Sequence, residues 1–155
     1  MLKRSIAAAG AALYLAGGLV TMLPATAQAG SSQDNPLEGT DPAATGCGVG
    51  AYVVKAWDMR NAVYHEIQGL AQLVYSPSCG TNWVNVYGFT PGNTYTVVLT
   101  SSVQHRQAWA AAVGAGEDEA TPQSYTPGST CVDVLWRIQN TSTRFVEGES
   151  TTRVC

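Results

Sequence analysis

Between Thr94 and Thr100 the chain alternates: Tyr95, Val97 and Leu99 occupy the odd positions, with Thr94, Thr96, Val98 and Thr100 between them. Successive side chains of a strand point to opposite faces, so this run predicts a strand half-buried on its odd face. Val132, Val134, Trp136 and Ile138 repeat the pattern against Asp133 and Arg137. Shorter runs fill the remainder. Tyr52 to Trp57 reads as a strand closed by Asp58-Met59-Arg60-Asn61. Val63 to Ile67 and Leu70 to Tyr75 flank Gln68-Gly69, which predicts a two-residue hairpin. Ser76-Pro77-Ser78 ends that hairpin, because proline has no N–H for a ladder.

Trp83 to Tyr87 forms the next strand, and Thr90-Pro91-Gly92-Asn93 turns it back. Val103 to Val113 is compatible with a short helix or a strand; its strand neighbours and Trp109 favour the strand. Gly114 to Pro122 reads as a loop, Asn140 to Thr143 as a turn, and Arg144 to Val146 as an antiparallel return. Trp57, Trp83, Trp109 and Trp136 are nearly evenly spaced, yet windows aligned on them match almost nothing else. They are taken as core or half-core residues, not as a repeat or a sugar-binding ladder. The fold class expected is all-β: a small antiparallel sandwich or partly open barrel, pinned by two disulfides.

The first residues follow a different pattern. Lys3 and Arg4 precede an apolar run from Ile6 to Leu23, and Ala27-Gln28-Ala29 supplies a small-x-small cleavage site. Residues 1–29 are thus expected to be a signal peptide, 30–40 a flexible polar arm, and 41–155 a single secreted β domain. The leader is too poor in leucine and phenylalanine to favour lasting residence in lipid, and Pro24 breaks it. No stable membrane insertion is expected after cleavage.

Export changes how the cysteines read. Cys47, Cys79, Cys131 and Cys155 form an even set, and in an oxidising compartment they predict two disulfides. Four cysteines allow three connectivities; order favours Cys47–Cys79 and Cys131–Cys155, each closing one supersecondary unit. Each closed loop stabilises by about 3 kcal/mol through the restricted unfolded chain. The absence of C-x-x-C spacing and the presence of only two histidines argue against a metal site. No cofactor is expected.

The expected mature chain carries six basic and eleven acidic side chains, a balance of −5. Lys55 is its only lysine and its arginines are scattered, so it lacks the clustered cations that phosphate binding requires. Nucleic acid is excluded as a partner on that ground. The expected partner is an extracellular or envelope ligand, its identity unknown.

Several catalytic patterns begin and fail. His65-Glu66-Ile67-Gln68-Gly69 opens like the helical zinc protease motif, but Gly69 stands where the second histidine belongs. Asp34 to Thr45 has the glycine of a calcium loop, but Pro36 and Thr45 replace oxygen ligands. Glu117-Asp118-Glu119 reads as a solvated loop tip. There is no G-x-S-x-G elbow, and Asp58, Glu66 and Asp133 are carboxylates that nothing singles out. A noncatalytic binding module is therefore expected, with Tyr75, Trp83 and Tyr87 as its candidate surface and no catalytic or metal-ligating residue assigned. Two alternatives are a small secreted hydrolase using His65 or His105, and a disulfide-braced protease inhibitor or antimicrobial protein presenting Ser76-Pro77-Ser78.

Two segments carry a likeness. Asp41-Pro42-Ala43-Ala44-Thr45-Gly46-Cys47 and Leu73-Val74-Tyr75-Ser76-Pro77-Ser78-Cys79, with Trp83 following, resemble the YjfA-like family of small secreted proteins, abundant in actinobacteria. Members typically read C-x-G-x-D-P-x-x-T-G-C, then L-R-Y-S-x-x-C, then a tryptophan. Leu37 occupies the first cysteine position here, Val74 the arginine position, and Asn85 the place of an arginine after the tryptophan. The resemblance implies an extracytoplasmic domain and, because relatives also form the outer part of membrane-linked regulators, sensing or binding rather than turnover. The family has no established activity.

Overall fold

The computed structural model describes residues 35–103 and 108–155; the expected signal peptide, residues 30–34 and His105 lie outside the described residues. Nine strands follow one another: β1 (Tyr52–Arg60), β2 (Ile67–Ser76), β3 (Thr81–Gly88), β4 (Asn93–Ser101), β5 (Ala108–Val113), β6 (Asp118–Ala120), β7 (Ser124–Tyr125), β8 (Val132–Asn140) and β9 (Val146–Val154). No helix occurs among the described residues, and Ala108–Val113 is a strand. One sheet runs β1-β2-β3, with β6 and β7 both bonded to the far side of β3; the other runs β5-β4-β8-β9. Every pairing is antiparallel. The two sheets form a sandwich and do not close into a barrel.

The two alternating runs are the adjacent central strands β4 and β8, in register from Asn93↔Asn140 to Ser101↔Val132. Their inward side chains Tyr95, Val97, Leu99, Val134 and Ile138 meet Met59, Ala71, Leu73, Val84 and Val86 of the other sheet. Burial of these side chains removes apolar surface from water, the main favourable term in folding. Trp136 belongs to this core and Trp57 packs against its edge.

The first hairpin differs from expectation. Asp58, Met59 and Arg60 continue β1, Gln68 and Gly69 lie inside β2, and the turn is 61–66. The turn forms because the Asn61 side chain stands in for backbone: its Oδ1 accepts from the Val63 and Tyr64 amides at 2.8 and 3.0 Å. His65 closes it in the left-handed region, at φ 58°. Gly69 is there for proximity, since a Cβ would lie 2.8 Å from both the Tyr87 carbonyl oxygen and the Tyr95 ring.

The last hairpin repeats this device. Asn140 Oδ1 accepts from the Ser142 and Thr143 amides at 3.1 and 3.0 Å, and Arg144 takes φ 61°. Bulges leave Gln68 unpaired between Arg60↔Ile67 and Met59↔Gly69, and Glu147 unpaired between Gln139↔Val146 and Ile138↔Gly148. Asparagine and glycine stand four and twelve residues after each of Trp57 and Trp136. These two windows therefore form a repeated hairpin unit, a correction to the expectation of no repeat.

The hairpins bond to one another. Ala62 N donates to the Glu147 carbonyl at 2.7 Å, and Gly148 is so close that a Cβ would fall 2.3 Å from the Arg60 oxygen. Asn93 Nδ2 donates to Gln68 Oε1 at 3.0 Å and to Glu147 Oε2 at 2.9 Å, tying both bulges to β4. This end of the β1–β9 seam is closed by hydrogen bonds.

Disulfides join Cys47 to Cys79 and Cys131 to Cys155, the pairing that order favours. Residues 35–40 of the expected arm are bonded to the body: Gly39 N donates to the Gln123 carbonyl and Gln123 N to the Thr40 carbonyl, both at 2.9 Å. The Glu38 carboxylate accepts from Trp109 Nε1 at 2.7 Å and from Tyr125 N at 2.6 Å. The expected loop 114–122 contains β6; Glu117 Oε2 accepts from Gly114 N at 2.8 Å, while Asp118 and Glu119 pair with Tyr87 and Val86. Asp118 and Glu119 thus belong to an edge strand and Glu117 to the loop before it, all three exposed to solvent.

Candidate functional site

Register decides which candidate residues meet. Ala71 and Leu73 of β2 and Val84 and Val86 of β3 face the core, so Leu70, Gln72 and Val74 point outward, beside Tyr87, Asn85 and Trp83. Trp83 and Tyr87 therefore share the outer face. Tyr75 lies on the other side of β2, opposite Asn82, and lines a separate cleft. The expected trio is split, because one position along a strand reverses the face.

The outer face has two halves. Toward the β2–β3 turn, Ser76, Val74, Thr81 and Trp83 are all buried, with Trp83 only 6% exposed. Gln123 straps this end: Thr81 Oγ1 donates to its Oε1 at 2.8 Å, and its Nε2 donates to Thr40 and Thr45 hydroxyls at 2.8 and 2.9 Å. Cys47–Cys79 fastens the same strap. Trp83 is thereby a wall and a support, not a free ring.

The other half is accessible. A row crosses four strands here, Ala56↔Gln72↔Asn85↔Ala120. Beside it runs Asp58↔Leu70↔Tyr87↔Asp118. Small residues at both ends and amides in the middle make the first row a shallow trough. Directly opposed residues have Cβ atoms about 5 Å apart, so Gln72 and Asn85 act as one polar patch.

Trp83 Nε1 donates to Asn85 Oδ1 at 3.1 Å and fixes which way that amide faces. This leaves the Asn85 amino group and the whole Gln72 amide, both half-buried, without a partner among the described residues. An amide carries two donors and two acceptor lone pairs, so the patch retains most of its bonding capacity. The half-buried Tyr87 ring flanks it, and Asp58 and Asp118 stand at the margins. At its β6 end the row meets a hollow of about 390 Å³ between Gly39, Asp41 and Pro42 on one side and Glu119 to Pro122 on the other.

The alternatives find less support in the geometry. His65 lies in the first hairpin turn; its backbone N donates to the Asn61 carbonyl at 2.9 Å and its carbonyl accepts from Arg60 Nη1 at 2.9 Å. Its exposed imidazole makes no hydrogen bond or ion pair among the described residues. Ser76-Pro77-Ser78 sits in a tight turn closed by Gly80 N donating to the Ser76 carbonyl at 2.8 Å. Among the described residues no group of His, Cys, Asp and Glu is arranged to hold a metal, and no helix is long and apolar enough to cross a membrane.

Of the residues singled out from the sequence, Tyr87 lies on the accessible half of this face, Trp83 on its buried half and Tyr75 on the other side of β2, while Gln72 and Asn85 were not among them. The signal for them is the same period of two, read together with the β2–β3 register that the turn at 77–80 sets. A family model described as "Protein of unknown function (DUF2690)" matches residues 35–134, which spans the strap, β1 to β7 and the start of β8. No curated protein and no solved structure matches the chain.

Proposed function

Because the chain belongs to the family described as "Protein of unknown function (DUF2690)", kinship brings no activity with it, and we propose from surface chemistry that this is an exported, noncatalytic binding module holding an oligosaccharide along the Gln72–Asn85 row. The carrying observation is the pair of opposed, half-buried amides with unspent donors and acceptors beside Tyr87. Hydroxyls both donate and accept, so a sugar edge satisfies such a pair without leaving a buried group unmatched. The Tyr87 ring offers an apolar face for the C–H side of a pyranose. Asp118 at the margin and Asp41 at the hollow accept from further hydroxyls and repel acidic polymers, while Asp58 is paired with Arg60, so the ligand is a neutral or amino sugar.

Two disulfides in the described body and the leader pattern of residues 1–29 support export. The Thr45-Gly46-Cys47 and Tyr75-Ser76-x-x-Cys79 pattern supports grouping the chain with the YjfA-like secreted proteins of actinobacteria. A rigid site suits binding: aromatics and amides already held by a sheet lose little entropy when a ligand settles on them.

Co-sedimentation of residues 30–155 with cellulose, chitin and peptidoglycan sacculi tests the proposal. Retention is expected on at least one, lost in Tyr87→Ala and in Gln72→Ala and kept in Tyr64→Ala, which removes an exposed ring from the hairpin end. No retention on any of the three, or retention indifferent to Tyr87 and Gln72, overturns it. Trp83→Ala is a poor probe, since it removes a buried ring and disturbs the strap.

A further inference from the structure

Leu73 of β2 and Val84 of β3 face the core, and the period of two carries that inner face on to Tyr75 and Asn82, which stand opposite one another. They border a cleft of about 310 Å³ between the sheets, walled by the apolar side chains of Val54, Leu73, Val132 and Val154. Such a volume equals that of about ten liquid waters, at the small end of the range for ligand sites. Among the described residues no charged side chain lines it.

One polar group in this lining is unspent. Asn82 is only 6% exposed. Its Nδ2 donates to Thr126 Oγ1 at 2.5 Å, and that hydroxyl donates in turn to the Ser124 carbonyl at 3.2 Å. A hydroxyl has a single proton, so Thr126 meets Asn82 only as an acceptor, and this settles which end of the amide faces it. Asn82 Oδ1 is thereby left to the cleft, and no donor reaches it among the described residues. A buried acceptor without a partner is costly, so a ligand that supplies the missing donor is favoured over one that does not.

The walls narrow the choice further. The Tyr52 and Tyr75 rings meet edge to face at 6.0 Å and form one side, against which a third ring packs in the same geometry. A charged molecule would find no partner here for its charge. We propose that this cleft binds a small, uncharged aromatic molecule, its ring against the tyrosines and the valines and one N–H or O–H donated to Asn82 Oδ1. The cleft opens on the inner side of β2 and β3, away from the amide row, so this inference does not depend on glycan binding.

Indole is the probe, being of about this size with one N–H and no other polar group. Benzofuran is the control, since it keeps the outline and puts a ring oxygen where the N–H was. Each is titrated into nitrogen-15-labelled residues 30–155, with the side-chain amide of Asn82 and the backbone amides of Val132 and Val154 as reporters. Indole is expected to shift all three saturably at about millimolar affinity or tighter, and benzofuran to bind about tenfold or more weakly. Asn82→Leu, read at the valines, is expected to bind the two compounds alike. Val54→Trp, on the exposed rim, fills the cleft without touching Asn82 and is expected to abolish binding while the unfolding midpoint stays put. Chitin and cellulose oligomers are expected to leave the Asn82 signals fixed. Equal affinity for indole and benzofuran, binding that survives Val54→Trp, or no binding of indole at about millimolar concentration overturns the proposal.

Discussion

Asn93→Asp replaces one atom and tests how the two hairpins are held. Asn93 is buried, and its Nδ2 donates to Gln68 Oε1 at 3.0 Å and to Glu147 Oε2 at 2.9 Å. Truncation in Asn93→Ala forfeits a neutral bond of about 1 kcal/mol and a charge-assisted one of about 2, for a cost of about 3 kcal/mol. Asn93→Asp loses the same donors and adds a carboxylate facing the carboxylate of Glu147. Two unit charges about 4 Å apart repel by about 4 kcal/mol at an effective dielectric of about 20; water at the half-buried Glu147 reduces this, so the added cost is about 1–2 kcal/mol. At neutral pH the aspartate variant is therefore less stable than the alanine variant. Acid reverses the order. The facing carboxyls bind a proton more readily folded than unfolded, so the variant gains stability relative to wild type as pH falls, and protonation also restores a donor. Urea unfolding of all three proteins at neutral pH and at about pH 4.5 measures this. If the aspartate variant matches the alanine variant at neutral pH, or the gap ignores pH, Asn93 is not the tie between the bulges.

Other changes probe other parts of the body. Gly148→Ala places a methyl 2.3 Å from the Arg60 oxygen and is expected to cost about 2–3 kcal/mol in a thermal melt, whereas Gly128→Ala, with nothing within 4 Å but a φ of +63°, costs about 1. Cys47→Ser with Cys79→Ser opens a loop of sequence separation 32, and Cys131→Ser with Cys155→Ser one of 24; each pair is expected to lose about 3–4 kcal/mol in urea. Trp136 Nε1 is buried with no acceptor among the described residues, so Trp136→Phe is expected to stay within about 1 kcal/mol of wild type. Trp109→Phe abandons the Glu38 carboxylate and is expected to cost about 2 kcal/mol, with Glu38→Ala shifting the melting midpoint in the same direction.

The central strands were legible because nothing competes with their alternation: Tyr95, Val97 and Leu99 face one core from a strand paired on both sides. The hairpins were not, because glycine carries two signals. Gln68-Gly69 looks like a turn, but Gly69 serves the close approach of Tyr87 and Tyr95, and the turning is done by an asparagine side chain and a left-handed histidine. That misplacement hid the repeated unit around Trp57 and Trp136, whose matching residues are the asparagine and the glycine. β6 was hidden by its charges, since Asp118 and Glu119 sit on an edge strand where only one side is covered. Trp83 and Tyr87 emerged together because they are four residues apart on one strand. Gln72 and Asn85 needed the cross-strand register, and amides carry no hydrophobic signal to mark them.

The accessible amide row is best tested by watching those amides. In residues 30–155 labelled with nitrogen-15, soluble chitin and cellulose oligomers are expected to shift the side-chain amide signals of Gln72 and Asn85 saturably, with Tyr87 ring signals following. The Trp136 indole signal is expected to stay fixed. Oligomer binding that moves none of these three residues, or no binding at all, would contradict the assignment of this face.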